Sequence, residues 1–209
     1  MTADALLHKD GTRMVCIQKL KEPDAGIPAA LGLSFKRILQ ELNLKGDEKV
    51  LLKPNLVNSS PACSGVTTDL GILSSLVKLL QREGIEEIWI GESSIEDTGQ
   101  VLRALGVAKL ENLGARVINF DEEGWVTVES PLRLALQRFR IARSAMDCDL
   151  IISAAKMKTH CDTGVTLSMK NLLGTISPRT GRLLTAPIFT RLSWMSTLIS
   201  TKTNGLFQL

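Results

Sequence analysis

The sequence predicts an α/β protein, a Rossmann-like three-layer sandwich around a mainly parallel sheet. Three observations point there. Short runs rich in Val and Ile alternate with longer segments whose apolar residues recur at helical spacing, the rhythm of β-α-β units. Gly and Asp turn signals mark several junctions between them. The chain has 209 residues, 44% hydrophobic and 22% charged, enough for one sizeable core and one domain.

Each element has its own justification. Met14 to Gln18 reads as the first strand. A helix is predicted from Pro28 to Leu42, with Leu31, Phe35, Ile38, Leu39 and Leu42 on one face and Pro28 in the first turn. Gly46-Asp47 turns the chain into a strand over Lys49 to Leu52. Asp69 to Glu83 carries a stripe of Leu70, Leu73, Leu76, Val77 and Leu80, with Thr68 or Asp69 as N-cap and Gly84 as the stop. A buried strand over Glu87 to Ile90 leads through the turn GESSIEDTG to a helix over about Gln100 to Leu105, which a second piece extends to Leu113. Ala115 to Phe120 is the next strand, Trp125 to Val128 and Phe139 to Ala142 are shorter ones, and Asp149 to Ser153 is an apolar strand flanked by small residues. It runs straight into KMKTHCDTGVTLSMKNLLG, residues 156–174. From Leu183 onward the chain is rich in Ser and Thr and lacks caps or a turn-strand rhythm, so residues 13–182 read as the domain and 183–209 as an atypical tail, disordered or out of frame.

Composition narrows the function. The net charge of +3 is too small to call for nucleic acid or an anionic membrane. The charge is unevenly placed, because no acidic residue follows Asp162 while Lys170, Arg179, Arg182, Arg191 and Lys202 do. MTADALLHKDGTR lacks the apolar stretch of a secretory signal, and no segment approaches the roughly 20 apolar residues of a spanning helix. A soluble cytoplasmic protein, with neither membrane nor nucleic acid as partner, is the expectation. Cys16, Cys63, Cys148 and Cys161 form no C-x-x-C pair, so neither a zinc knuckle nor a ferredoxin-type cluster is written here, and free thiols are expected.

In open α/β sheets ligands bind beyond the carboxyl ends of the strands, so the loops after strands are the ones to read. Pro54 forces Lys53 into an extended conformation and fixes where its ammonium leaves the strand, which suits an anion; a surface lysine snorkelling at a strand end is the plainer reading. Gly65-Val66-Thr67-Thr68-Asp69 leads into a helix, so its hydroxyls and free N–H groups can hold a carboxylate or phosphate, and ordinary capping explains Thr68 and Asp69 equally well. Glu92, in Gly91-Glu92-Ser93-Ser94, can act as a general base or bind a sugar hydroxyl or a metal; a solvated turn is the alternative.

The stretch after Ser153 carries the strongest signal. An extended chain there puts Lys156, Lys158 and His160 on one side with period two, and Met157 and Thr159 on the other. Three cations pointing one way repel unless an anion, or a carboxylate such as Glu92, faces them. The lysines would depress the imidazole and leave His160 fit for proton transfer near neutral pH. Thr163-Gly164 is read as starting a short helix through Leu173, closed by Gly174, with Thr166 and Lys170 sharing a face at i, i+4.

These stretches, LLKPNLV (51–57), GVTTDLGILSSLVKLLQREGIEEIWIGESS (65–94), CDLIISAAKMKTH (148–160) and TGVTLSMKNLLG (163–174), resemble the proteins grouped as domain of unknown function 362. The resemblance spans roughly residues 13–182, and its most specific part is K-x-K-T-H followed by G-V-T-L-S-x-K-N-L-x-G. Among the positions matching the family's motifs are Lys53, Asn55, Thr67, Thr68, Glu92, Ser93, Lys156, Lys158, Thr159, His160, Thr166, Lys170 and Asn171. Some members carry ferredoxin-type modules, so an iron-sulfur cluster is implied only for longer relatives; this chain lacks the cluster cysteines and is expected to hold no cofactor and no metal. The matching text stops near Arg182, which implies a truncated or frame-shifted product and a sheet incomplete at its C-terminus.

The expectation is then a basic pocket for a small anionic ligand, a carboxylate or phosphate. His160, Lys158 and Glu92 are its catalytic candidates, and Lys53, Asn55, Thr67, Thr68, Ser93, Lys156, Thr159, Thr166, Lys170 and Asn171 its ligand-binding ones. The alternatives are a non-catalytic ligand-binding half of an iron-sulfur redox protein and a non-functional fragment.

Overall fold

Val50–Pro54, Ile88–Glu92 and Leu150–Ala154 are buried at every residue. Strands of this kind belong inside a parallel sheet that is covered on both faces. The computed structural model describes residues 5–9, 14–18, 32, 35, 36, 39, 42, 44–129, 138–161, 164–178 and 205–208.

An antiparallel hairpin of β1 (Ala5–Lys9) and β2 (Met14–Gln18) comes first, and β3 (Val50–Pro54) follows. Then come α1 (Leu70–Arg82), β4 (Ile88–Glu92), α2 (Thr98–Ala104), a 3-10 segment Val107–Leu113 and β5 (Arg116–Asn119). A one-turn helix α3 (Phe120–Glu123) leads to the antiparallel ribbon of β6 (Trp125–Glu129) and β7 (Arg138–Ala142). After α4 (Arg143–Asp147) and β8 (Leu150–Ala154) the chain makes a second hairpin, β9 (Lys158–His160) and β10 (Gly164–Thr166). The short helix α5 (Ser168–Asn171) continues as a 3-10 turn, Leu172–Thr175, and β11 (Gly205–Gln208) lies within the tail.

The central sheet has the order β11-β8-β3-β4-β5, with every pair parallel. Alternation along its strands divides the core in two. Val50, Leu52, Ile90 and Ile152 face Leu73, Leu76 and Leu80 of α1, together with Phe35 and Leu39. Leu51, Trp89, Ile118 and Ile151 face Phe120 of α3, Phe139 and Ile141 of β7, and Leu172. Helices therefore cover one face, and short helices with the β6–β7 ribbon cover the other. This is the α/β, Rossmann-like three-layer arrangement that the sequence predicts.

Most elements fall where the residue patterns put them. Asp69 caps α1, its carboxylate accepting from Gly71 N at 2.7 Å, and Gly84 turns the chain out with φ of 88°. Residues 32, 35, 36, 39 and 42 are helical, in line with the helix expected to Leu42, and the rest of that segment lies outside the described residues.

Ala5–Lys9, ahead of the strand read as first, and Gly205–Gln208, in the tail read as lacking strands, are strands as well, and one expected element differs. The helix expected from Thr163-Gly164 through Leu173 is not formed: Thr163 lies outside the described residues, Gly164–Thr166 is strand β10, and helix begins only at Ser168. Gly164 has φ of 72°, and the β-branched Val165 and Thr166 pair with Thr159 and Lys158. β-Branched residues favour such pairing over a helix start. Thr166 and Lys170 therefore do not share a helical face. The expected alternation holds only from Lys158, where β9 begins, and Lys156 precedes it.

The order also fixes where a ligand can enter. From β3 the chain moves outward through β4 to β5, and later returns to place β8 on the opposite edge of β3. Loops leaving β3 and β8 therefore run apart, which opens a crevice at the carboxyl ends of the strands.

Candidate functional site

The floor of that crevice is an ion pair. Lys53, the fourth residue of β3, and Glu92, the last of β4, are 0% and 3% exposed, and Lys53 Nζ donates to Glu92 Oε1 at 2.5 Å. The ammonium also donates to the Pro54 carbonyl at 2.7 Å, and the carboxylate accepts from Leu56 N at 2.8 Å and Ser93 N at 2.9 Å. Burial pushes the Lys53 ammonium down in pKa and the Glu92 carboxyl up, and the contact between them opposes both shifts. Gly174 lies directly against the pair: a Cβ there would sit 2.7 Å from Glu92 Oε1 and 2.9 Å from Lys53 Nζ.

Above this floor lies a cavity of about 640 Å³. The β9–β10 hairpin supplies one wall. Lys158 and Thr166 are cross-strand partners, His160 lies two residues along, and all three line the cavity with Lys170 of α5. The opposite side chains of the hairpin, Met157, Thr159, Val165 and Leu167, are exposed. Lys158 Nζ donates to Asn55 Oδ1 at 3.2 Å and to the Val66 carbonyl at 2.6 Å, both uncharged. An ammonium has three donors, so one is left for a further acceptor among the described residues. Burial and the neighbouring Lys170 ammonium hold Lys158 below the ordinary lysine pKa of 10.5, with Glu92 pulling the other way. Thr166 is 3% exposed, and its Oγ1 has no hydrogen-bond partner among the described residues.

The remaining candidate residues divide by what their polar atoms already hold. Asn55 accepts from Lys158 and lines the cavity. Asn171 lines it too, but its Nδ2 ties α5 to the strand ends, donating to the Lys53 carbonyl at 2.9 Å and to Ser153 Oγ at 3.0 Å. Ser93 Oγ donates to Asp121 Oδ1 at 3.0 Å. Thr68 Oγ1 clasps the loop after β3 to the end of β8, accepting from Asn55 N at 2.8 Å and donating to the Ala154 carbonyl at 2.7 Å. Thr67 Oγ1 donates to the Ser60 carbonyl at 2.7 Å. Thr67, Thr68, Lys156 and Thr159 are not part of the cavity lining.

The geometry gathers Lys53, Lys158, His160 and Lys170 round one hollow, with Glu92 at its base. Asp121 and Glu96, which sequence reasoning passed over, line it from the β4 and β5 side. Their signal was there to use, since Glu96 follows β4 and Asp121 follows β5. Among the described residues no group of three or more His, Cys, Asp or Glu is arranged to hold a metal ion.

A family model described as "Domain of unknown function (DUF362)" matches residues 50–187. The chain belongs to this family. The DUF362 match contains the whole cavity lining, from Lys53 to Pro178. A thylakoid-associated protein of Synechocystis sp. is 26% identical over 155 residues, covering 68% of this chain and 45% of the relative. The chain thus spans about half the length of that curated relative. Among the described residues no helix is long and apolar enough to cross a membrane.

Proposed function

We propose that this DUF362 protein binds a small anionic ligand, a carboxylate or phosphate, between the β9–β10 hairpin and the Lys53–Glu92 floor. The observation that carries the reading is the Thr166 hydroxyl, buried on the cavity wall with no hydrogen-bond partner among the described residues. Buried polar groups are nearly always paired, and an unmet one costs about 1–3 kcal/mol. Its cross-strand neighbour Lys158 brings a positive charge whose hydrogen-bond partners among the described residues are neutral oxygens. An anionic oxygen would satisfy the hydroxyl and meet the ammonium together. Lys170 adds a second cation, Asn55 orients Lys158, and His160 stands on the same wall to give or take a proton.

Thermal unfolding in increasing phosphate or acetate tests the reading. Stabilisation that grows with ligand concentration is expected for the wild type and largely lost in Lys158→Met and Thr166→Val. Because Lys158 is held below the ordinary lysine pKa, anion affinity should fall as pH rises, beginning below the range where an ordinary lysine loses its proton; Lys170→Met should move that fall to higher pH. His160→Ala should keep anion binding and remove any turnover. Wild type and Lys158→Met responding alike to both anions would refute the proposal.

A second reading rests on the chain spanning 45% of its Synechocystis relative. In it the cavity is the ligand-binding half of a longer redox protein and does no chemistry of its own, and His160→Ala then changes no rate.

A further inference from the structure

The cavity is not polar throughout. Val57 follows β3, Ile95 follows β4, and Leu173 and Ile176 follow α5; all four line the same hollow as Lys158 and Lys170. Ile95 N donates to the Val57 carbonyl at 2.9 Å, so these two apolar residues sit side by side. Ile95 is 85% exposed, although it lines the cavity, which puts an isoleucine in water at the cavity's edge. The volume of about 640 Å³ falls within the roughly 300–1,000 Å³ of pockets that enclose whole organic molecules, and far exceeds what a bare phosphate or acetate fills.

Basic groups and a hydroxyl with no partner among the described residues stand on one wall, and aliphatic residues after β3, β4 and α5 share the rest of the lining with Glu96 and Asp121, so the recognition surface has an apolar part as well as a charged one. We infer that the ligand is amphiphilic: an anionic head, carboxylate or phosphate, carried on an apolar body that lies against Val57, Ile95, Leu173 and Ile176. The inference rests on the anion-binding reading and adds the substrate class. The head meets Lys158, Lys170 and Thr166, and the body displaces water from the aliphatic side, where burial of apolar surface is favourable.

A homologous series separates the two claims. The full chain is titrated by calorimetry with acetate, butanoate, hexanoate and octanoate below their aggregation concentrations, with 1-octanol as the uncharged control. Affinity should rise two- to fourfold per added methylene, up to the roughly fourfold that full burial of one CH₂ produces. 1-Octanol should bind much more weakly than octanoate, and Ile95→Ser, a change at an exposed position that leaves the core intact, should flatten the series. Acetate binding with no gain along the series would overturn the amphiphile and leave the anion site standing. No carboxylate binding at all would remove both. Octanol binding as tightly as octanoate, or an unchanged series in Ile95→Ser, would likewise overturn the inference.

Discussion

Lys53 and Glu92 are each buried with one counter-charge, and removing either strands the other. Breaking a buried pair in this way costs about 3–5 kcal/mol. The two deletions should not be equal. Lys53→Met leaves Glu92 still accepting from the Leu56 and Ser93 amides, whereas Glu92→Leu strands an ammonium and both amides at once. Urea unfolding should therefore rank Glu92→Leu below Lys53→Met, and the double variant should lose less than the sum of the two. Equal losses that simply add would mean that the pair is not coupled. This pairing was only half legible beforehand. Period-two spacing showed that cations after β8 needed a facing carboxylate, and Glu92 was the natural candidate. Nothing local showed that Lys53, 39 residues before Glu92, would take that carboxylate for itself. The hydroxyls of Thr67 and Thr68 were ambiguous for a similar reason: a threonine before a helix looks the same whether it faces a ligand or, like Thr68, bonds a carbonyl 86 residues away.

Among the elements, β4 has little room for change at Gly91. Gly91 sits where the Phe120 ring comes close to the strand, and a Cβ there would collide with that ring and press on Leu51. Overpacking of this kind typically costs about 1–3 kcal/mol. Gly91→Ala should lower stability by at least that range, and Phe120→Leu in the same chain should recover part of it by shrinking the obstructing side chain. No recovery would place the strain elsewhere. The main strands and α1 could be read in advance because their signals are local: unbroken apolar runs for β3, β4 and β8, and an apolar stripe ended by Asp69 and Gly84 for α1. The β9–β10 hairpin could not. Its strands are three residues each, Gly164 can open a helix or turn a hairpin, and the choice depends on side chains meeting Lys53, Glu92 and Asn55 from distant segments.

At the scale of the whole molecule, the three described thiols are protected unevenly. Cys148 lies in the core layer with Phe139 and Ala145, and burial pushes its pKa up to about 12; Cys63 and Cys161 are exposed. Iodoacetamide at mildly alkaline pH should modify Cys63 and Cys161 promptly and reach Cys148 only through global opening, so its labelling rate should follow denaturant stability. Prompt labelling of Cys148, read by peptide mass mapping, would show that this layer opens by itself. The strand order bears on how the chain is made. β3 pairs with β4, and β4 with β5, between segments close in sequence, but Val50 pairs with Leu150 across a hundred residues, and the hairpin carrying Lys158 and His160 comes later still. As synthesis proceeds from the N-terminus, Lys53 can find Glu92 early, while one flank of β3 stays bare until β8 leaves the ribosome. A nascent chain halted after Glu123 would own the anionic half of the pocket and none of the hairpin's cations, so it would be blind to the ligand that the finished protein is proposed to hold.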